Sequence, residues 1–341
     1  MAVTVCVPTH RGRLRHVSEL LASLLVAARA VDVPVEIIVV DDSPEPEFQA
    51  LRCRCVQLGV RHLRGPRAAG AKRNLAVRAA SHDVLLFVDS DCVATPELIV
   101  GHLAALAGAP ADVAGVAGAT IWSGDRTPLW QILDFSRLYQ NAVDVAARYT
   151  QVGWGTTSNL CVRREAFVRL GGFDEGAFTV VGGEDVDLGV RACDQGYRWL
   201  TCARAAVLHQ RDSAGRWSQV LAKQFTYGRA DVFLSSRHRH RRTWRANPVA
   251  ISLMAMVFAV AGVRTGLPPW IMLGGAVPVL VALPRTGPQL VRRWGGALVD
   301  LAFDAGITWE ALRQGRPVSA VCTFVYTDDR EFLPGRAATR A

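Results

Sequence analysis

Short apolar runs alternate with helical segments over the first 110 residues, and this alternation limits the possible folds more than any other feature. Strand-like runs occupy 3–7, 35–40 and 84–88, whereas 13–30 and 68–80 carry apolar residues at helical spacing. The run at 84–88, Val-Leu-Leu-Phe-Val, is apolar throughout, as expected of a strand that is covered on both faces. Strands that alternate with helices in this way predict an α/β fold with a parallel sheet covered on both sides.

Length and composition indicate a globular chain. The 341 residues correspond to about two domains of ~150 residues each, and 50% of them are hydrophobic against 20% charged, which excludes a disordered chain. The eight cysteines lack the C-x-x-C spacing of a redox or zinc pair, so we expect reduced thiols in a cytoplasmic protein. Residues 1–7, Met-Ala-Val-Thr-Val-Cys-Val, predict a strand rather than a secretory leader.

Arginines and apolar stretches are concentrated in the last third of the chain. Five arginines fall within 237–245, directly before two uncharged stretches that together reach residue 284. This placement favours a membrane surface over nucleic acid as the partner. We predict a basic juxtamembrane segment 236–246, a membrane-associated helical hairpin 247–285 that contacts lipid, and a C-terminal cytoplasmic tail 286–341. A buried helical pair in a soluble domain, or an oligomer contact, is the alternative for the hairpin.

Two of the predicted strands end in acidic residues, Asp41-Asp42 and Asp89-Ser90-Asp91. In parallel α/β sheets, ligands bind beyond the carboxyl ends of the strands. The period of two in extended chain places Asp89 and Asp91 on the same side, so their carboxylates converge. Carboxylate oxygens with room for water suit Mg²⁺ or Mn²⁺, which commonly bridge to substrate phosphates. A solvated turn is the other interpretation of this segment.

Three acids, Glu184, Asp185 and Asp187, open a predicted helix directly after two glycines. One or two acids in a first turn are explained by the helix dipole, whereas three leave one to act as a general base. His209 follows a predicted strand and is either a satisfied polar residue or a metal ligand. Arg73, within the basic stretch Lys-Arg-Asn, faces either phosphate or solvent. The sequence contains no G-x-G-x-x-G, no P-loop and no G-x-S-x-G motif.

Seven short segments carry a resemblance to a known family. They are Val-Pro-Thr at 7–9, Val-Asp-Asp-Ser at 40–43, Gly-Ala-Lys-Arg-Asn at 70–74, Phe-Val-Asp-Ser-Asp at 87–91, Thr-Ser-Asn-Leu at 157–160, Leu-Gly-Gly-Phe-Asp at 170–174 and Gly-Glu-Asp-Val-Asp-Leu at 183–188. In this order they resemble a family 2 glycosyltransferase of the GT-A fold, over about residues 1–235. Membrane-anchored bacterial members, including mycofactocin-type glycosyltransferases, are loosely similar around 225–228.

The resemblance implies a Rossmann-like mixed sheet, with a nucleotide-sugar-binding half over 1–110 and an acceptor-binding, catalytic half over 111–235. It also implies a donor, a nucleotide-diphosphate sugar with a UDP-sugar favoured. The residues that would bind this donor are Pro8, Thr9, Asp41, Asp42, Arg73, Asp89 and Ser90. Mn²⁺ or Mg²⁺ would be held by Asp91, with Asp89 and His209 as further ligands.

On the acceptor side, the resemblance implies that Asp185 takes the proton of an acceptor hydroxyl while the anomeric carbon is inverted. Glu184, Asp187 and Trp154 would support the acceptor side. Processive members of the family carry a Gln-x-x-Arg-Trp signature, of which Gln-Phe-Thr-Tyr-Gly-Arg at 224–229 is only a loose version. We therefore expect the transfer of one sugar rather than polymer synthesis.

Two other functions remain open at this point. A GT-A-like nucleotidyltransferase would need a phosphate-gripping loop near residue 12, and His-Arg-Gly-Arg at 10–13 is a poor version of one. A non-catalytic, arginine-rich membrane scaffold would keep its function without Asp91. We expect the protein at the cell membrane with its catalytic domain in the cytoplasm. No pattern identifies the sugar or the acceptor.

Overall fold

The computed structural model describes residues 1–133, 136, 145–178, 182–283 and 289–334. Its strands are β1 (Val3–Thr9), β2 (Val35–Asp41), β3 (Arg61–Arg64), β4 (Val84–Val88), β5 (Cys92–Ala94), β6 (Val113–Ser123), β7 (Tyr149–Val152), β8 (Asn159–Arg163), β9 (Arg198–Gln210), β10 (Arg242–Trp244), β11 (Cys322–Phe324) and β12 (Leu333–Pro334). Its α-helices are α1 (Leu14–Arg29), α2 (Glu47–Gln57), α3 (Ala69–Ala79), α4 (Leu98–Leu106), α5 (Pro128–Leu133), α6 (Val145–Arg148), α7 (Arg164–Arg169), α8 (Glu184–Asp194), α9 (Trp217–Arg237), α10 (Pro248–Arg264), α11 (Val277–Ala282) and α12 (Leu290–Arg313). Short 3₁₀ helices lie at Arg211–Ala214, Arg239–Arg241, Pro269–Ala276 and Pro317–Val321.

Ten of the described strands form one mixed sheet in the order β12-β7-β9-β6-β8-β4-β1-β2-β3, with β5 paired to β9. Strands β4, β1, β2 and β3 are parallel to one another in turn. Strand β8 is antiparallel to both β4 and β6. The predicted parallel sheet over the first 110 residues is confirmed, and so is the mixed α/β class of the whole sheet.

Each strand of the parallel part sends alternate side chains into two cores. Val5 and Val7 of β1 pack in one buried cluster with residues of α1, whereas Cys6 packs in another cluster with Leu85 and residues of α3 and α7. Covering the sheet on both faces removes its apolar surface from water, which is the main stabilising contribution to such a fold. Because β1, β2 and β4 are parallel, their carboxyl ends lie together at one edge.

The C-terminal part of the chain returns to the main sheet. Helix α12 packs along α9, β11 pairs with β10, and β12 pairs with β7 at the sheet edge. Val232 of α9 and the α12 residues Phe303 and Ile307 share a small buried apolar cluster that holds the two helices together. The described part of the predicted tail 286–341 is therefore an integral part of the fold, which corrects the prediction of a separate tail.

The predicted hairpin 247–285 is helical in an irregular way. Helix α10 has 17 residues, and the side chain of Asn247 caps its first backbone N–H groups. The second apolar stretch forms a 3₁₀ helix that begins at Pro269 and then the short α11, which has Pro278 at its second position. In the described part of the chain, no helix has the length and apolar character needed to cross a bilayer. Lipid contact by this segment stays a prediction.

The predicted basic juxtamembrane segment 236–246 is largely paired within the protein. The ion pairs are Arg237–Asp187, Arg241–Glu331 and Arg245–Asp304. Each pair joins this segment to a residue that is distant in the sequence. Three of the five arginines therefore hold elements of the fold together, and the juxtamembrane position of this segment stays a prediction.

Candidate active site

Arg73 on α3 joins the two acidic segments that the sequence singles out. Its side chain is nearly buried, at 4% exposed, and its Nη2 donates to Asp89 Oδ1 at 2.7 Å while its Nη1 donates to Glu184 Oε1 at 2.8 Å. Burial lowers the pKa of Arg73, but the charges of Asp89 and Glu184 outweigh it and the pKa is raised. The guanidinium therefore bridges the carboxylates of Asp89 and Glu184, and its predicted contact with the nucleotide stays a prediction.

Asp91 and His209 face each other at the end of β4. Strand β5 pairs with β9 so that Cys92 is the register partner of His209, and Asp91 Oδ1 then lies 3.7 Å from His209 Nε2. Burial lowers the pKa of His209, so the ring is neutral near pH 7 and offers a lone pair. The separation is too long for a hydrogen bond, yet it fits a cation ligated by both atoms at about 2.1–2.3 Å. Asp91 and His209 therefore fit the predicted metal pair.

Cys92 belongs to the same cluster, although the sequence did not point to it. Among the described residues, Asp91, Cys92 and His209 offer ligand atoms within 4.8 Å of one another. Burial raises the pKa of the Cys92 thiol well above its usual range, so the thiol stays protonated. A protonated thiol is a poor ligand for Mg²⁺ or Mn²⁺, which prefer oxygen. Asp89, predicted as a further metal ligand, lies outside this cluster and pairs with Arg73 instead.

Thr9 and Asp41 close the other end of the same edge. They are register partners at the ends of β1 and β2, and both are buried. Asp41 Oδ1 accepts from the Ser43 backbone N–H at 2.7 Å, and His62 Nε2 lies 3.4 Å from Asp41 Oδ2. The hydroxyl of Thr9 and Oδ2 of Asp41 are buried without a well-formed hydrogen bond. Buried polar atoms of this kind need a partner, and a ligand with a donor group would supply one.

The remaining predicted donor residues lie beside this pair. Asp42 accepts from Lys72 Nζ at 2.5 Å, and the same ammonium donates to the Thr9 carbonyl oxygen. Pro8 is buried within β1, and Ser90 is 6% exposed after β4. At this edge of the sheet, Pro8 and Ser90 are buried positions at strand ends, and the Asp42 carboxylate is already paired with the Lys72 ammonium.

Asp185 lies in the first turn of α8, directly after a sharp backbone turn formed by two glycines. Gly182 and Gly183 have φ values of 104° and 92°, a region that only glycine adopts without strain. Asp185 Oδ1 accepts from the Val186 N–H at 2.9 Å, and Oδ2 lies 3.4 Å from the Thr157 N–H. Burial and the neighbouring Glu184 raise the pKa of Asp185 to about 7. A carboxylate with this pKa is suited to general base catalysis near neutral pH.

Asp187 and Trp154 both contact other parts of the fold. Asp187 is fully buried, and its carboxylate binds Arg191 Nε at 2.8 Å and His238 Nε2 at 2.9 Å. The indole N–H of Trp154 donates to the Tyr326 carbonyl oxygen at 2.7 Å, and its ring packs edge-on against the Tyr326 ring. Asp187 is buried in contacts that hold the fold together, which corrects its predicted support of the acceptor, whereas acceptor support by the partly exposed Trp154 stays a prediction. Glu184 remains beside Asp185, paired with Arg73 as described above.

Sequence reasoning missed several charged residues of the site. Arg13 Nη1 lies 3.2 Å from Asp91 Oδ2, although His-Arg-Gly-Arg at 10–13 was interpreted from the sequence only as a poor phosphate-gripping loop of a nucleotidyltransferase. Lys72 and Lys223 are the only lysines of the chain, which was a usable signal. Burial raises the pKa of Asp91, but the charges of His209, Arg13 and Lys223 lower it overall, so Lys223 also acts on this site.

Comparisons with known proteins agree with this geometry. The family model described as Glycosyl transferase family 2 matches residues 4–171. The chain is 35% identical over 121 residues to the N-acetylglucosaminyl-diphospho-decaprenol L-rhamnosyltransferase of Mycobacterium tuberculosis, which covers 35% of this chain and 37% of that protein. It is 30% identical over 239 residues to the O-antigen biosynthesis protein RfbC of Myxococcus xanthus, which covers 63% of this chain and 18% of that protein.

A solved structure extends the comparison to nearly the whole chain. The mannosyltransferase PcManGT from Pyrobaculum calidifontis, solved in complex with GDP-Man and Mn²⁺, superposes with a TM-score of 0.52 at 18% identity. The superposition covers 93% of this chain and 85% of that one, which shows a shared fold. The chain spans less than half the length of the two curated relatives given above. Residues 4–171 therefore form a family 2 glycosyltransferase domain, within a chain of mixed-sheet, GT-A-like fold.

Proposed function

We propose that the chain transfers one sugar from a nucleotide-diphosphate sugar to an acceptor hydroxyl, with inversion at the anomeric carbon. The main support for the proposal is that Arg73 connects the acids of the donor side with the acids of the acceptor side. On one side are Asp89 and the Asp91–His209 pair, and on the other is Asp185, whose pKa is about 7. Arg73 thus connects Asp89, beside a site for a cation that would bind a diphosphate, with Glu184, beside a base for an acceptor, and this arrangement suits glycosyl transfer.

The donor would lie along the carboxyl ends of β1, β2 and β4. The buried Thr9 hydroxyl forms no hydrogen bond and Asp41 Oδ2 has only His62 Nε2 at 3.4 Å, so the hydroxyl would donate or accept, and the carboxylate accept, a hydrogen bond with the base. We favour a UDP-sugar as the donor. The solved mannosyltransferase with this fold binds GDP-Man, so both nucleotides belong in the test.

Asp91 and His209 are the residues that would hold Mn²⁺ or Mg²⁺, with Asp89 close by. When bound, the cation would offset the negative charge that develops on the departing diphosphate. Arg13 lies 3.2 Å from the same carboxylate of Asp91 and would face the same diphosphate. Its permanent charge would help to keep the leaving group bound while the glycosidic bond forms.

Asp185 would act as the base on the opposite side of the sugar. The acceptor oxygen forms a bond to the anomeric carbon as the bond from that carbon to the diphosphate oxygen breaks. The bonding electron pair leaves with the diphosphate, and the proton of the acceptor hydroxyl moves to the Asp185 carboxylate. Glu184 raises the basicity of Asp185 by its charge, and Arg73 holds Glu184 in position.

The acceptor and the place of the reaction are proposed from the relatives and from the apolar C-terminal region. The name of the mycobacterial relative gives a lipid-linked sugar, a diphospho-decaprenol, as its substrate. We propose a lipid-linked acceptor for this chain as well, used at the membrane with the catalytic domain on its cytoplasmic side.

A donor screen tests the proposal. UDP-, GDP- and dTDP-sugars would be incubated with the full chain and a lipid-linked acceptor, with and without Mn²⁺, and products followed by mass spectrometry. We expect one donor to be used with Mn²⁺, and Asp91→Ala to abolish this use while Glu97→Gln, on the exposed surface, retains it. Folded protein that uses or binds none of these donors would refute the transferase proposal. Release of pyrophosphate from a nucleoside triphosphate would favour a nucleotidyltransferase instead.

A further inference from the structure

Helix α12 buries all of its acids and exposes large apolar side chains on its outer face. Its three acids, Asp300, Asp304 and Glu310, are all buried. Its outward positions carry large apolar side chains that are exposed, namely Leu290, Val291, Trp294, Leu298, Trp309 and Leu312. Beyond the apolar row Val299, Phe303 and Ile307 that packs on α9, a surface helix surrounded by water usually keeps its acids outside and few large apolar side chains exposed. The outer face of α12 is therefore built to contact something apolar.

The buried acids of α12 are satisfied from the protein side. Asp304 pairs with Arg245 at 2.6 Å, and Glu310 pairs with Arg229 at 2.9 Å. These pairs fix which face of the helix points inwards. If α12 turned about its axis, its apolar face would be buried and both carboxylates would lose their arginine partners. The exposure of its apolar side chains is thus a fixed property of the fold.

Helix α12 is also fixed along its length against α9. A Cβ atom added at Gly228 would lie 1.9 Å from the Phe303 carbonyl oxygen, and one at Gly306 would lie 2.0 Å from the Phe225 carbonyl oxygen. The two backbones therefore touch directly at both glycines, which is possible only without side chains there. Helix α12 therefore stays packed along α9, and it cannot rotate away from α9 to enter a bilayer end-first.

The exposed apolar surface continues onto α10 and the turns that follow it. Helix α10 contacts α12, and the 3₁₀ helix and α11 fold back on α10. The exposed large apolar side chains of these elements are Leu253, Met254, Met256, Val257, Phe258, Val260, Leu267, Trp270, Leu273, Val277, Leu280 and Val281. We call the outer faces of α10, α11 and α12 together the apolar platform. An exposed patch of this extent marks an interaction surface rather than ordinary scatter.

The charge around the platform selects its partner. Between Asp212 and Asp328 the sequence has only four acids, Asp231, Asp300, Asp304 and Glu310, and all four are buried. Arg264, Arg292, Arg293 and Arg316 are exposed in the same region. A surface with exposed arginines and no exposed acid among its described residues attracts an anionic partner and repels a second copy of itself. Exposed Trp270, Trp294 and Trp309 add the aromatic side chains that favour a lipid–water interface.

We propose that the apolar platform docks face-on to the surface of an anionic phospholipid bilayer. The apolar side chains enter the acyl boundary of one leaflet, and the exposed arginines contact lipid phosphates. This proposal deepens the membrane location given under the proposed function, and it differs from the hairpin predicted from the sequence because α12 provides the fixed part of the surface.

Vesicle flotation of the full chain tests the proposal. Wild-type protein would be mixed with phosphatidylcholine vesicles, with or without about 30 mol% phosphatidylglycerol. We expect flotation with the anionic vesicles, and a partition at least about tenfold lower in Leu298→Glu/Trp309→Glu. The matched control is Val56→Glu/Val168→Glu, two apolar positions on α2 and α7, outside the platform, that are 71% and 63% exposed. The control is expected to float like the wild type.

Three results would overturn the proposal. They are failure of the wild type to float with anionic vesicles, equal flotation of the α12 variant, and an equal loss in the control. Quenching of wild-type tryptophan fluorescence by brominated phosphatidylglycerol gives a second measurement that needs no variant, and its absence also contradicts docking. A lipid-free dimer that Leu298→Glu/Trp309→Glu dissociates, without any flotation, would assign the platform to a second copy. Because no sugar donor is used, these results stand apart from the outcome of the transfer assay.

Discussion

Replacing the carboxylate of Asp185 tests the catalytic site through two quantities that should move in opposite directions. Asp185→Asn keeps the size of the side chain and an acceptor for the Val186 N–H, but it removes the charge. The pKa of Asp185 is about 7 in the folded protein against an ordinary value of 3.8. The folded protein therefore binds this proton more tightly than the unfolded chain does. The stability linked to it is complete below about pH 4 and is lost as the pH rises through 7.

The size of the effect follows from the pKa difference. About three pKa units at about 1.4 kcal/mol each give an upper limit of about 4 kcal/mol for ionising Asp185 in the folded state. Partial hydration of the site reduces this, so we expect Asp185→Asn to raise the free energy of unfolding by about 2–3 kcal/mol at pH 8.5. The gain should vanish below about pH 4, where both states bind the proton. Sugar transfer should fall by about 10²–10⁴-fold because the base is gone.

Urea unfolding at pH 4, 6.5 and 8.5, together with transfer rates, would measure both quantities. Glu97→Gln is the matched control, since it makes the same carboxylate-to-amide change on the exposed surface, where about ±0.5 kcal/mol is the usual range. If Asp185→Asn were no more stable than the wild type at pH 8.5, the account of a buried, destabilising carboxylate would be wrong. If the variant kept its transfer rate, Asp185 would not be the base.

Three further changes act on the same site. Glu184→Gln removes a charge that raises the pKa of Asp185, so the acidic limb of the pH–rate profile should shift to lower pH by about one pH unit. An unchanged limb would show that Glu184 does not raise the pKa of Asp185. Arg73→Met leaves the Asp89 and Glu184 carboxylates without their shared cation, and urea unfolding should report a loss of about 3–5 kcal/mol. His209→Ala should weaken Mn²⁺ binding by about tenfold or more in isothermal titration calorimetry, and unchanged affinity would exclude it as a ligand.

Much of the donor edge could be predicted from the sequence because its signals are local. Apolar runs that end in acids determine both the strands and the edge at which those acids meet, so the positions of Asp41, Asp89 and Asp91 follow from β2 and β4 alone. The role of Asp187 could not be read in this way. Asp187 follows Asp185 by two residues on the helix, which is a rotation of about 200° about the helix axis. Asp187 therefore points away from the site and into the buried contacts with Arg191 and His238.

The errors in the C-terminal region have a different origin. The basic segment 236–246 looks like a free cationic surface because its partners, Glu331 and Asp304 among them, lie far along the chain. The sequence alone predicts only a tail over 286–341 and no role for the three acids of α12, since a helical period shows that residues share a face but not whether that face is buried. Only the packing of α12 on α9 shows that the acids point inwards. Long-range ion pairs therefore limit what charge patterns in a single sequence can predict.

Helix α9 links the active site to the apolar platform. On one side, Gly228 lets its backbone touch α12. On the other side, Ala230 packs against Gly183, where a Cβ would lie 3.3 Å from the Ala230 Cβ, and this turn carries Asp185. Asp231 adds a third contact, since it accepts from the Tyr326 hydroxyl at 3.1 Å and so fixes the segment that holds Trp154. A platform docked on lipid would therefore set the orientation of the catalytic turn through a single rigid helix, and an acceptor anchored in the same leaflet would approach Asp185 from a fixed direction.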